Sequence, residues 1–120
     1  MKRAVACALV LVSLAACGPT PPQAPLSYAK KLDTSTSDIS TACGEASQVT
    51  EFEGQHSTHL AGIEGAAERS ARKLASVYRR NPAWIYQGET VGEIVVDAKR
   101  MLDSCGLHPA LETLRRATRR

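Results

Sequence analysis

The chain predicts an all-α domain: a small antiparallel bundle of three main helices and a short C-terminal helix, with one disulfide. Three observations predict it. Apolar residues recur at three- and four-residue spacing through most of positions 38–117. Residues that start and stop helices fall at the ends of those stripes. No segment alternates apolar and polar residues as a half-buried strand does, and no internal repeat is visible.

The first element stands apart from this domain. Met1-Lys2-Arg3 leads into an apolar run from Ala4 to Val12, and then into Leu14-Ala15-Ala16-Cys17. A charged start, a short apolar stretch and a small-residue cleavage site make residues 1–16 an export signal. Leu14-Ala15-Ala16-Cys17 closely resembles the lipobox of bacterial lipoproteins. The resemblance implies that Cys17 carries diacylglycerol and becomes the first mature residue. It also implies a location at the cell membrane or outer membrane, exposed outside the cytoplasm. Gly18 is not the aspartate that resembles an inner-membrane retention signal in Gram-negative cells. The apolar stretch is shorter than the roughly 20 residues a spanning helix needs. Two acyl chains, at about 0.8 kcal/mol per buried methylene, would anchor the protein stably.

After Cys17 comes Gly-Pro-Thr-Pro-Pro-Gln-Ala-Pro, with four prolines in eight positions. Such a segment cannot continue a helix and favours an extended, solvated chain. Residues 17–25 therefore read as a lipidated cysteine and a tether that lifts the domain about two nanometres, at about 3.1 Å per residue.

Residues 26–120 suffice for one small domain. Its only aromatics are Tyr28, Phe52, Tyr78, Trp84 and Tyr86, so its core is marginal in size. Leu26 to Leu32 allows a short helical turn with Tyr28 and Leu32 together. Ile39, Ala42, Cys43, Ala46 and Val49 share one face of the first main helix, with Ser37 or Asp38 as its cap. Gly54 and the polar run Gln55-His56-Ser57-Thr58 end it. Leu60, Ile63, Ala67, Ala71, Leu74 and Tyr78 form the clearest stripe, with Arg69, Arg72, Lys73 and Arg79 off it. Asn81-Pro82 stops that second helix, because the residue before proline is pushed out of helical geometry. Gly62, Gly65 and Ala66 offer a small surface for close helix approach, or a flexible point.

Thr90-Val91-Gly92-Glu93 has the spacing of a capping box. It opens a third helix with Val91, Ile94, Val95, Ala98, Met101, Leu102 and Cys105 as apolar positions. Gly106 suits the left-handed stop. Pro109 suits the first turn of a last helix that carries Ala110, Leu111, Leu114 and Ala117. Cys43 and Cys105 lie far apart, outside any Cys-x-x-Cys, in a chain marked for export. They read as a structural disulfide pinning the first helix to the end of the third.

Without Lys2 and Arg3 the fifteen basic residues become thirteen, against twelve acidic ones. This near-neutral balance gives no argument for a nucleic-acid partner. The C-terminus ends Arg115-Arg116-Ala117-Thr118-Arg119-Arg120. Such an end suits anionic headgroups or an acidic partner, and it equally complements a helix dipole.

Chemistry-bearing patterns are sparse. His56 and His59 lack the further ligands of a metal site. There is no Gly-x-Ser-x-Gly elbow and no phosphate loop. The expectation is a protein that is not an enzyme and that needs no cofactor or metal. Arg79, Arg80, Trp84 and Tyr86 combine the residue types that dominate binding hot spots, and they form the candidate partner-binding junction. The competing reading makes Trp84 and Ile85 a lid folded back on the helices. The expected function is a lipid-anchored binding or structural module of the cell envelope. It would meet the membrane through Cys17 and an envelope protein through the junction. The alternative is a small-ligand carrier with a pocket near Trp84, Tyr86 and Met101. Ser40-Thr41-Ala42-Cys43 is similar, over those residues alone, to the start of small secreted mycobacterial haem-binding proteins. That likeness would imply a haem-like ligand.

Overall fold

The structure is a computed structural model that describes residues 21–54 and 56–119. The expected export signal and Cys17 lie outside the described residues. The chain is mostly helical, in the order α1 (Leu26–Glu53), α2 (Thr58–Arg80), β1 (Ile85–Tyr86), β2 (Glu89–Thr90), α3 (Val91–Cys105) and α4 (His108–Thr118).

The first main helix does not start at Ser37 or Asp38 with a separate turn before it. α1 runs unbroken from Leu26. The run Asp33-Thr34-Ser35-Thr36-Ser37-Asp38 looks like a break because short polar side chains compete for backbone groups. Here the hydroxyls bond backwards within the helix. Thr34 Oγ1 donates to the Lys30 carbonyl at 3.0 Å, Ser35 Oγ to Lys31 at 2.6 Å and Thr36 Oγ1 to Leu32 at 2.7 Å. Leu32, Ser35, Ile39, Ala42, Cys43, Ala46 and Val49 then form one buried stripe along α1. Burial of that stripe outweighs the weak local preference.

α2 packs extensively on α1 and on α4. Ser57 caps it, accepting from the His59 amide at 3.1 Å. It buries Ile63, Ala67, Ala71 and Leu74, as the stripe predicts, and also Ser70, Ala75 and Val77. No described helix closes on the small surface around Gly62. A Cβ built there would meet nothing within 4 Å, and one at Gly65 would meet only Arg69 of its own helix at 3.7 Å.

α3 opens on the full capping box. Glu93 N donates to Thr90 Oγ1 at 3.0 Å, and Thr90 N donates to Glu93 Oε1 at 2.8 Å. It stops at Gly106 in the left-handed conformation, φ +80°. Pro109 sits in the first turn of α4. Cys43 and Cys105 are disulfide-bonded with Cα atoms 5.4 Å apart, tying the middle of α1 to the end of α3.

Two features depart from the expectations, one a short hairpin in the otherwise helical fold and the other in the tether. β1 and β2 pair antiparallel, with Ile85 opposite Thr90 and Tyr86 opposite Glu89. Gln87 and Gly88 turn between them with φ of +49° and +83°, the double positive φ that a tight two-residue hairpin requires. Residues 18–25 are also not all free tether. Gln23 pairs in parallel with Ile85: the Ala24 amide donates to the Ile85 carbonyl at 2.9 Å, and the Ile85 amide to the Pro22 carbonyl at 3.0 Å. Ala24 packs against the core. Proline-rich chain is already extended, and at a sheet edge a proline leaves no unpaired N–H. Pro22–Ala24 therefore serves as a short edge segment.

Candidate functional site

The expected junction is built where α2 ends. Asn81 leaves the helical conformation and its side chain accepts from the Ala83 amide at 2.9 Å. The Trp84 amide donates to Asn81 O at 3.3 Å, and the Trp84 carbonyl accepts from Val91 N at 2.9 Å. This short loop is thereby fixed between α2, the hairpin and the start of α3.

The structure divides the four junction residues. The Trp84 ring tilts against Tyr28 of α1, with centroids 4.9 Å apart. Arg80 reaches the same Tyr28 ring, its Cζ 5.6 Å from the centroid, and Lys31 Nζ approaches it at 5.4 Å. Both cations lie within cation–π range. Trp84 is half-buried and packs against the core, so it acts in part as the lid of the competing reading. Arg79 is exposed one position before Arg80.

Tyr86 instead lines an open groove of about 260 Å³, with Ile39 of α1 and Ile94, Asp97, Ala98 and Met101 of α3. Its hydroxyl is raised above the ordinary phenol range, first by desolvation and then by the charge of Asp33, to which it is hydrogen-bonded. Met101 is 39% exposed at the groove. The carrier reading placed Trp84, Tyr86 and Met101 in one pocket; Trp84 is not among the residues of this groove.

Tyr28 and Lys31 are the residues sequence reasoning left out of the site. Their signal was an aromatic three residues before a lysine, but only packing of α1 beside the α2–β1 loop brings them to Trp84 and Arg80. His59 Nδ1 faces Glu53 Oε2 at 3.4 Å at the α1–α2 connection. Among the described residues, no three of His, Cys, Asp and Glu gather to hold a metal ion, and no helix is long and apolar enough to cross a membrane. No family model matches the chain, and no curated protein or solved structure is similar to it.

Proposed function

We propose that the protein is a lipid-anchored module of the bacterial cell envelope that works by contact. The observation that carries this is the pairing of Pro22–Ala24 with Ile85. An anchor at Cys17 would join a segment that is hydrogen-bonded to the domain, so the attachment would enter beside Ile85 and the domain would stay closer to the membrane than a tether running to Pro25 allows. A short attachment at a defined point suits a module that meets a neighbour at the membrane. The four helices are taken as an antiparallel bundle, since connections as short as Gly106-Leu107 favour antiparallel neighbours. The groove beside Tyr86 and Met101 is the surface offered to an envelope protein. Its apolar floor with Glu89 and Asp97 beside it suits an apolar side chain flanked by a basic one.

Replacing Cys17 with alanine should move the protein from the membrane to the soluble fraction and abolish labelling by a fatty-acid probe. Unchanged fractionation would end the anchor reading. For the groove, Met101→Glu should remove a crosslinked envelope partner while the circular dichroism spectrum stays helical. A partner retained by that variant docks elsewhere.

The carrier is the second reading, favoured by Tyr86 and Met101 sharing one groove. At about 260 Å³ the groove falls below the range of pockets that enclose drug-sized ligands, about 300 Å³ upward. It suits a ligand smaller than a porphyrin. Native mass spectrometry of protein taken from its own host separates the two readings, because a bound small molecule and a bound protein differ in mass.

A further inference from the structure

We infer that the end of the domain carrying Tyr28, Lys31, Arg80 and Trp84 docks flat on an anionic phospholipid surface. The inference rests on the reading of Cys17 as the lipid anchor. Four observations bear on it.

The first is distance. The described chain begins at Pro21, and Pro22 is bonded to Ile85 in the same connection that holds Trp84. Five residue steps lead from Cys17 to Pro22, a reach of at most about 18 Å even fully extended. The loop carrying Trp84 cannot leave the neighbourhood of a lipid on Cys17.

The second is charge. Residues 21–32 and 76–88 meet at this end of the fold. They contain Lys30, Lys31, Arg79 and Arg80, all exposed, and no acidic residue. Elsewhere three exposed arginines find carboxylates, Arg72 with Glu68, Arg100 with Asp97 and Arg119 with Glu112, while among the described residues the exposed Arg69, Arg115 and Arg116 do not. Among the described residues, Lys30, Lys31, Arg79 and Arg80 have no such ion pair. The carboxylates bordering this patch are Asp33, the next along α1, and Glu89, opposite Tyr86 in the hairpin.

The third is side-chain type. Lys31 and Arg80 flank an aromatic pair, Tyr28 and Trp84. Amphipathic aromatics with long cationic side chains beside them are the composition that settles at a headgroup layer. Leu26, the first residue of α1, is 74% exposed beside them in sequence and would enter the acyl boundary.

The fourth is the helix end. α1 starts here with no side-chain cap and no acidic residue in its first turn. The positive end of its dipole therefore favours phosphate groups nearby.

Trp84 is the only tryptophan of the chain, so its fluorescence reports this surface directly. The lipidated protein is to be reconstituted on vesicles of phosphatidylcholine alone and on vesicles that also contain phosphatidylglycerol. On the anionic vesicles Trp84 emission should shift to the blue and acrylamide quenching should fall. High salt should reverse both changes, because it screens the attraction. Each basic residue near an anionic surface strengthens association about fivefold. Lys31→Ala with Arg80→Ala should therefore lower the ratio of docked to undocked protein about 25-fold. Leu26→Ser, which alters a side chain without core contacts, should weaken docking without changing the thermal melt. Equal quenching on the two kinds of vesicle overturns the proposal. Flotation separates it from the anchor reading. Protein that floats with neutral vesicles but shows equal quenching has an anchor and no docking surface. Protein that floats only with anionic vesicles has the docking surface without the anchor. Protein that floats with neither has neither.

Discussion

Replacing Cys43 and Cys105 together with alanine should lower the stability of the domain by about 4 kcal/mol. The bridge joins residues 62 apart in sequence. Cross-linking a loop of that length removes about 14 cal/mol/K from the unfolded ensemble, which is about 4 kcal/mol at room temperature. Packing alters this little: Cys43 is 7% exposed between Ala42 and Ala46 on the same buried stripe, and alanine keeps its Cβ. A domain of this size has only about 5–15 kcal/mol in all, so the loss would take about a quarter of it or more. Urea unfolding of the bridged protein and the double variant measures the difference directly. The midpoint should fall and the slope should rise, because the unbridged unfolded chain exposes more surface. In thermal melts the midpoint should drop by roughly 15–30 °C. Kinetics sharpens the test. A cross-link that acts on the unfolded chain changes mainly the folding rate, since it already holds residues of α1 and α3 together. A loss below about 1 kcal/mol, or one found wholly in the unfolding rate, would refute the unfolded-chain argument.

Three further outcomes follow from local geometry. Thr90→Ala removes both the cap on Glu93 N and the hydroxyl beside its carboxylate, and should cost about 1 kcal/mol in the melt; an unchanged melt would show that the hairpin alone holds the start of α3. In hydrogen exchange the Ala24 amide, bonded to Ile85 at 2.9 Å, should be slower than the exposed backbone around it, and rapid exchange would return that segment to loose tether. Glu53 accepts from Ser57 Oγ at 2.8 Å and faces His59, which hold its carboxyl below the ordinary carboxylate range, Ser57 contributing most. The folded chain therefore favours the ionised form, so this contribution is complete above the ordinary carboxylate pKa and is lost as pH falls through the depressed value; an NMR titration giving Glu53 a midpoint at or above that of an unfolded peptide would contradict it.

The features legible along the chain were short-range. The capping box at Thr90, the glycine stop at Gly106, the proline in the first turn of α4 and the stripe of α2 each depend on residues within a turn or two of one another. Their physics is complete in the local chain. The Cys43–Cys105 pair was legible because residues 26–120 contain two cysteines and so leave one intramolecular pairing open. The long-range features emerged only when the elements packed. The polar run from Asp33 to Asp38 became helix because Leu32 and Ile39 on either side of it are buried by other elements. The hairpin has two residues per strand, too short for alternation to register, and its pairing with Gln23 joins positions some sixty residues apart. Tyr28 became part of the candidate site for the same reason. Side chains from α1, α2 and the loop before β1 meet at its ring only after the helices have packed, and no spacing along the chain encodes which distant faces burial will bring together.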